Sequence, residues 1–96
     1  MEKVRIMTIR YSARARTQMS LIHEFIAEKN SAAATTVIAH IRKAIRLLAS
    51  SPRLGRTTDE KSVRMLVVSR FPFVVFYTVR DSKILIMNVR HTAQDR

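Results

Sequence analysis

The C-terminal third of this 96-residue chain contains basic side chains and one tyrosine that could act on a phosphodiester or bind one. These residues are Arg64, Arg70, Tyr77, Arg80, Arg90 and His91. RNA can be cleaved without a metal when a base removes the 2′-hydroxyl proton, an acid protonates the leaving oxygen and cations stabilise the developing charge. The candidates for that chemistry are His91, Arg64, Arg80 and Tyr77. The arginines could instead bind a partner without reaction, because a guanidinium pairs with phosphate or carboxylate through parallel hydrogen bonds.

Several of these candidates also have a purely structural interpretation. Tyr77 shares a strand face with Phe73, which favours packing in the core with the hydroxyl hydrogen-bonded at the margin. Arg64 and Arg80 could equally belong to a solvated surface. His91 ends a predicted strand, where an imidazole can serve acid–base catalysis or donate a hydrogen bond to a partner.

A predicted run of three strands over residues 62–91 must position these side chains. Val, Ile, Phe and Tyr dominate the run, and Phe71-Pro72 and Asp81-Ser82 interrupt it. The two-residue interruption at Asp81-Ser82 predicts a tight antiparallel hairpin. The middle strand is apolar on both faces, which predicts a central position with cover on at least one face. The arginines fall near strand ends, where side chains reach solvent.

The N-terminal segment supplies a further strand and a helix. Alternating residues over 3–10 predict a strand that joins the sheet. Ser12 is a suitable N-cap, and apolar residues at helical spacing predict a helix over residues 13–29. The apolar stripe of this helix is Met19, Ile22, Phe25 and Ile26.

A second helix follows after a short joint. Asn30 predicts the stop of the first helix and Ser31 the N-cap of the second, which ends before Pro52. Its stripe is Ala34, Val37, Ile38, Ile41, Ile45 and Leu48. Gly55 lies in a polar connector of about ten residues, and a positive φ angle is expected there. The predicted fold class is α+β, a two-layer β-α-α-β-β-β domain whose helical hairpin packs on one face of a small, mainly antiparallel sheet.

Composition predicts a single domain over residues 1–96 in a reducing cytoplasm. The chain has no Cys, which excludes disulfides, thiolate metal sites and cysteine catalysis. It has neither the ~20 apolar residues of a membrane span nor a signal-peptide pattern. The formal charge of +11, from 18 basic and 7 acidic residues, predicts a negatively charged partner.

Histidines on the predicted helices give no sign of a metal site. His23 and His40 stand singly, whereas a metal site needs three or four converging ligands. We therefore expect surface or boundary roles for both, and no cofactor.

Several segments occur in a fixed order over residues 8–95. They are Ile22-x-x-Phe25-Ile26, Ala33 to Ile45, Pro52-x-x-Gly55-Arg56, Arg64-x-Leu66-x-Val68, Phe71-Pro72-Phe73-Val74-Val75-Phe76-Tyr77-x-Val79, and Ile84-x-Ile86-x-x-Val89-Arg90-His91 with Asp95. Together they resemble the RelE/ParE superfamily of bacterial toxins, and more closely its ParE branch. The resemblance implies a toxin of a type II toxin–antitoxin pair, neutralised by an antitoxin whose C-terminal segment wraps the toxin.

An acidic or amphipathic antitoxin segment would suit the charge of +11. The candidate antitoxin contacts are Val37, Ile41, Ile45, Arg42, Arg46 and Arg56. Core burial is the favoured alternative for the three aliphatic residues of this set.

The resemblance leaves two targets open. RelE-like members cut mRNA on the ribosome, whereas ParE-like members poison DNA gyrase. No tyrosine follows His91, and Lys61 and Lys83 do not match the lysines of a RelE-type centre. We therefore favour gyrase inhibition by stabilising the cleaved DNA complex, without catalysis by this chain. The candidate target contacts are Arg64, Arg70, Arg80, Arg90 and His91. A non-toxic, antitoxin-binding regulatory protein is the third alternative.

Overall fold

The computed structural model describes residues 6–94, which form two α-helices and one five-stranded sheet. The helices are α1 (Ala13–Ala27) and α2 (Ser31–Arg46), and the strands are β1 (Thr8–Tyr11), β2 (Arg56–Thr57), β3 (Arg64–Val68), β4 (Phe73–Arg80) and β5 (Lys83–His91). Short 3-10 turns follow α2 at Leu47–Ala49 and β5 at Thr92–Gln94. The predicted α+β fold class, a helical hairpin on a mainly antiparallel sheet, is confirmed.

The three-stranded meander of β3, β4 and β5 forms the centre of the sheet, whose order is β1-β5-β4-β3-β2. Neighbouring strands are antiparallel except β1, which runs parallel to β5. Asp81 and Ser82 have φ angles of 50° and 63°, as a type I′ hairpin turn requires at its two central positions. The predicted hairpin and the central position of β4 are confirmed.

The outer strands differ from the prediction. Among the described residues the N-terminal strand begins at Thr8, so residues 6 and 7 of the predicted strand do not belong to it, and the Met7 backbone N–H instead donates to the Ala49 carbonyl at 2.9 Å. Residues 3–5 of that prediction lie outside the described residues. Strand β2, within the polar connector, was not predicted, because two residues are too short to show an alternating pattern.

Capping by Ser12 confirms the predicted start of α1. The Ser12 Oγ accepts a hydrogen bond from the Ala15 backbone N–H at 3.0 Å and donates one to the Met87 carbonyl, also at 3.0 Å. One hydroxyl therefore caps the helix and attaches it to β5. The helix ends at Ala27, two residues earlier than predicted. Its residue Phe25 is 72% exposed, so placing Phe25 on the buried stripe was wrong.

Helix α2 starts one residue earlier than predicted. The Asn30 Oδ1 accepts a hydrogen bond from the Ala33 backbone N–H at 2.9 Å, so Asn30 is the N-cap and Ser31 is the first helical residue. The apolar stripe of α2 is confirmed. Its buried members are Ala34, Val37, Ile41 and Ile45, and the buried Leu48 continues it in the 3-10 turn, because α2 ends at Arg46 rather than just before Pro52.

Gln18 joins α1 to the part of β5 that β1 does not reach, because β1 ends opposite Ile86. The Gln18 Oε1 accepts a hydrogen bond from the Val89 backbone N–H at 2.7 Å, and its Nε2 donates to the Asn88 Oδ1 at 3.2 Å. A side chain thus satisfies a strand-edge group that would otherwise need another strand or water.

Within residues 6–94, no helix is long and apolar enough to cross a membrane.

Candidate functional site

One face of the sheet is not covered by the helices and carries five basic side chains. Tyr77 and Ile84 belong to the core beneath the helices, and side chains alternate along a strand. Their neighbours Thr78 and Leu85, which lie opposite each other in β4 and β5, therefore face the other side. We call this surface the open face. Strand alternation and register place on it Arg10, Arg56, Arg80, Lys83 and Arg90.

The centre of the open face is partly apolar. Val67 and Leu85 are 54% and 39% exposed, and Met65, Phe76 and Thr78 are half-buried. The five strands contain no Asp or Glu. The acidic side chains of residues 6–94 lie on α1 and at its C-cap, in the connector and in the hairpin turn, at Glu24, Glu28, Asp59, Glu60 and Asp81. A positive, partly apolar surface of this kind suits a large anionic partner.

Arg64 lies on the other face of the sheet. It is directly opposite Tyr77 in the β3–β4 register and therefore shares the helix-covered side with it. Its Nη1 donates a hydrogen bond to the Gly55 carbonyl at 2.7 Å, and the side chain is half-buried. This contact holds the connector against β3. A structural role for Arg64 is thus visible in the fold.

The packing interpretation of Tyr77 is confirmed. The side chain is 0% exposed. Its hydroxyl donates to the Pro52 carbonyl at 2.8 Å and accepts from the Gly55 backbone N–H, also at 2.8 Å. Burial raises the pKa of Tyr77, partly offset by the hydrogen bond from Gly55 and the positive charge of Arg64. The phenol is neutral at physiological pH and engaged with the connector.

The expected positive φ at Gly55 was wrong, since no described glycine has one. Close approach explains the glycine instead. A Cβ added there would lie 2.7 Å from the Tyr77 hydroxyl oxygen and 2.8 Å from the Met65 carbonyl oxygen. Sequence alone did not show this, because the contact joins residues 22 positions apart.

His91 and Arg70 lie at one end of the sheet. His91 is opposite Phe73 in β4, and the two rings meet edge to face with centroids 5.4 Å apart. The His91 Nδ1 accepts a hydrogen bond from the Ala93 backbone N–H at 3.0 Å. Arg70 is exposed in the β3–β4 turn with a φ of 76°.

Arg80 lies at the opposite end of β4 from this histidine. Phe73, the register partner of His91, lies seven positions before Arg80 in β4, which is about 23 Å at ~3.3 Å per residue. The two side chains also belong to opposite faces of the sheet. The candidate set of His91, Arg64, Arg80 and Tyr77 is therefore not brought together at one point.

The antitoxin candidates divide between core and surface. Val37, Ile41 and Ile45 are 7%, 0% and 0% exposed, so their core interpretation is confirmed and they offer no surface in this fold. Arg42 and Arg46 are exposed on α2. Arg56 is exposed on β2 and belongs to the open face.

Arg56 of the open face was predicted as an antitoxin contact rather than a target contact, and two further residues, Arg10 and Lys83, were not predicted as contacts. The sequence pattern did not indicate a role for either residue, because the first strand was predicted too early in the chain and Lys83 was assigned to the hairpin turn. Only the parallel register of β1 with β5 places Arg10 beside Leu85.

Within residues 6–94, no group of three or more metal-ligating side chains converges on a point. The His40 ring packs edge to face on the Phe71 ring, with 5.1 Å between the ring centroids.

The helical hairpin on a five-stranded mixed sheet is shared with chains of solved toxin–antitoxin systems. A chain of the chromosomal ParDE toxin–antitoxin system of P. aeruginosa superposes with a TM-score of 0.82 at 19% identity, covering 91% of this chain and 97% of that one. A chain of the RelBE2 toxin–antitoxin complex of Mycobacterium tuberculosis superposes with a TM-score of 0.69 at 16% identity, covering 95% and 97%. These likenesses concern the fold.

Sequence comparison identifies the family. Residues 9–96 match the model of the ParE toxin of the type II toxin–antitoxin system parDE, and the chain belongs to that family. It is also 34% identical over 84 residues to the Sinorhizobium fredii protein named "Putative toxin Y4kP", covering 86% of this chain and 88% of that protein.

Proposed function

We propose that this member of the ParE toxin family inhibits DNA gyrase by stabilising its cleaved DNA complex, and that a cognate antitoxin neutralises it. The supporting observation is the open face, where Arg10, Arg56, Arg80, Lys83 and Arg90 surround a partly apolar centre. The family match supports the assignment to a type II toxin–antitoxin pair.

The composition of the open face favours a protein–DNA complex over DNA alone. Arginine pairs with phosphate oxygens through parallel hydrogen bonds, and the five strands contain no carboxylates, although Asp81 lies in the turn between Arg80 and Lys83. A DNA backbone alone would need no apolar contact. The exposed Val67 and Leu85 would instead pack against protein surface. A partner that presents both protein and phosphates therefore fits both features.

Binding rather than bond cleavage is supported by the separation of the candidate catalytic groups. Arg80 lies about 23 Å along the sheet from the register position of His91. The Tyr77 hydroxyl and the Arg64 Nη1 are already hydrogen-bonded to backbone carbonyls of the connector, those of Pro52 and Gly55. A general acid and a general base must each lie within hydrogen-bonding distance of a reacting atom of the same phosphodiester.

Supercoiling and DNA-cleavage assays with purified protein and bacterial gyrase test the proposal. We expect trapped double-strand breaks, suppressed by added antitoxin. The open-face variant Arg80→Gln/Lys83→Gln should trap roughly tenfold fewer breaks at equal concentration, because two phosphate contacts are lost. Its matched control is Arg53→Gln/Lys61→Gln, which removes the same charge from exposed connector positions.

Three outcomes would contradict the proposal or its supporting observation. Unaffected gyrase together with codon-positioned mRNA cuts in a parallel ribosome assay would indicate a RelE-like nuclease. Strong antitoxin binding without inhibition of either target would indicate a regulatory protein. Equal loss of activity in the open-face and connector variants would show that net charge, not this surface, matters.

A further inference from the structure

A pocket of ≈ 330 Å³ lies beside the β2–β3 hairpin, at one edge of the sheet. Arg64 and Val79 line it, and by register and strand alternation both belong to the same sheet face as Tyr77. The pocket is therefore on the helix-covered side of the sheet and is separate from the open face.

Arg64 brings a half-buried guanidinium to this pocket. Its Nη1 donates to the Gly55 carbonyl at 2.7 Å, which fixes the orientation of the group. In the part of the chain that the structure describes, this is the only hydrogen bond of the side chain, and no carboxylate is paired with it. A half-buried cation has lost part of its hydration, so an anion in the pocket would restore a favourable interaction.

Further donors surround Arg64. Thr57 lies directly opposite it in the register of β2 and β3, so the two Cβ atoms are about 5 Å apart. The Lys61 ammonium and the Ser62 hydroxyl line the pocket from the hairpin turn. Among residues 6–94, no hydrogen bond or ion pair engages the side chains of Thr57, Lys61 or Ser62. The pocket therefore combines two cations and two hydroxyls as available donors.

The hairpin turn that carries these donors is fixed by its own hydrogen bonds. The Thr58 backbone N–H donates to the Val63 carbonyl at 3.2 Å, and the Val63 N–H donates to the Glu60 carbonyl, also at 3.2 Å. The Thr58 Oγ1 accepts a hydrogen bond from the Glu60 N–H at 3.1 Å. The backbone of the site is thus in place before a ligand arrives, which lowers the entropic cost of binding.

The charge and size of the pocket select among anions. A phosphate monoester carries about −1.5 to −2 charges at pH 7 and three acceptor oxygens, which match two cations and two hydroxyls. A carboxylate or a phosphodiester carries only one charge. The pocket is also larger than a phosphate group, and Val63 and Val79 in its lining provide apolar contact for an attached organic group.

We propose that this pocket binds the phosphate monoester of a small organic molecule, with the phosphate on Arg64 and Lys61 and the organic group against Val63 and Val79. The site goes beyond the proposed function, because none of the open-face residues lines it. Glu60 also lines the pocket, and its carboxylate repels the anion. Removal of this charge should therefore tighten binding, whereas removal of Lys61 should weaken it.

Isothermal titration of the full chain with phenyl phosphate at constant ionic strength tests the site. Lys61→Gln should weaken binding roughly fivefold, because a charge-assisted hydrogen bond is lost. Thr57→Val, which keeps the shape of the side chain, should weaken it roughly twofold or more. Glu60→Gln should tighten it roughly twofold. The control Arg53→Gln removes a charge from an exposed connector position outside the pocket lining and should bind like the wild type.

A second series of ligands tests the chemistry of the pocket. Inorganic phosphate should bind more weakly than phenyl phosphate, because it makes no contact with the valines. Benzoate, which has the same ring and a single charge, should also bind more weakly. A short oligonucleotide without a terminal phosphate presents only phosphodiesters and should not compete at this site.

The assignment would be overturned by a wild type that does not bind phenyl phosphate, by unchanged affinity in both Lys61→Gln and Thr57→Val, or by an equal loss in Arg53→Gln. Weaker binding by Glu60→Gln would contradict the electrostatic argument. Benzoate binding as tightly as phenyl phosphate would assign the pocket to carboxylates, and displacement by the oligonucleotide would assign it to a nucleic-acid backbone. Circular dichroism should show equal helix content in all variants.

Discussion

The backbone N–H of Gly55 donates a hydrogen bond to the hydroxyl of Tyr77 at 2.8 Å, in the interior of the protein. The same hydroxyl donates a hydrogen bond to the Pro52 carbonyl, and the Arg64 Nη1 donates one to the Gly55 carbonyl. Both backbone groups of Gly55 are therefore bound by side chains of the sheet. These contacts fix an otherwise irregular connector beside β3, where its next residues form the edge strand β2.

Replacing Gly55 with Ala should destabilise the protein by overpacking. The new Cβ would lie within 2.8 Å of both the Tyr77 ring and the Met65 carbonyl oxygen, and the backbone atom cannot rotate away. We expect a loss of about 1–3 kcal/mol in the free energy of unfolding, measured by urea denaturation. Ser51→Ala, at an exposed position of the same connector, is the control. Equal stability of Gly55→Ala and wild type would refute the close-packing explanation.

Replacing Tyr77 with Phe should also destabilise the fold, by a different mechanism. The ring would remain in the core, but the Gly55 N–H and the Pro52 carbonyl would lose their partner. A buried group left without its hydrogen bond costs about 1–3 kcal/mol. Tyr11→Phe, on a half-buried tyrosine, is the matched comparison and should cost less. A catalytic Tyr77 would instead predict lost activity with unchanged stability.

Alkaline pH should reveal the burial of both tyrosines. Their pKa values are raised above 10.0 in the folded protein, mainly by burial. Between the unfolded pKa and the raised folded pKa, the unfolded chain releases protons that the native state retains. Stability contributed by these phenols is thus fully present below pH 10 and is lost as pH rises through the folded values.

Phenolate absorbance at 295 nm measures this directly. The native chain, which has two tyrosines, should ionise at higher pH than the chain in concentrated urea. Each single Tyr→Phe variant should retain one shifted transition. Coincident native and denatured titration curves would contradict the burial of these hydroxyls.

The fold was largely predictable because its main elements have long, strong patterns. Strands β4 and β5 have eight and nine residues, and the α2 stripe repeats over four turns, so periodicity is clear. Shorter features escaped detection. The two residues of β2 are too few to show the alternation of apolar and polar residues that identifies a strand. Phe25 has the spacing of the apolar stripe of α1, although its side chain faces solvent. Hydrophobic spacing identifies a helix but does not define how wide its buried face is.

The candidate site was less predictable, because it depends on which strand faces are covered. Arginines near strand ends were recognised, yet Arg64 and Arg80 belong to opposite faces of the sheet. A one-residue difference in strand phase moves a side chain from one face to the other. The β-bulge between Phe76 and Tyr77 adds such a shift within one pair of strands. Topology, rather than composition, places Arg10 on the open face beside β5.

Alanine substitutions at Arg64 and Arg80 should separate structural from target-binding arginines. Arg64→Ala removes the 2.7 Å hydrogen bond to the Gly55 carbonyl and should lower the free energy of unfolding by about 1–2 kcal/mol. Arg80 is exposed at the end of β4, and its replacement should change stability by no more than about 0.5 kcal/mol. Thermal unfolding of both variants measures this difference.

Gyrase trapping by the same two variants should show the reverse order. Arg80→Ala removes a proposed contact of the open face and should reduce trapped DNA breaks although the protein stays folded. Arg64→Ala should retain trapping at temperatures well below its unfolding transition, because its guanidinium lies on the helix-covered side. If Arg64→Ala abolished trapping while remaining fully folded and Arg80→Ala trapped normally, the target surface would lie at the connector rim instead of on the open face.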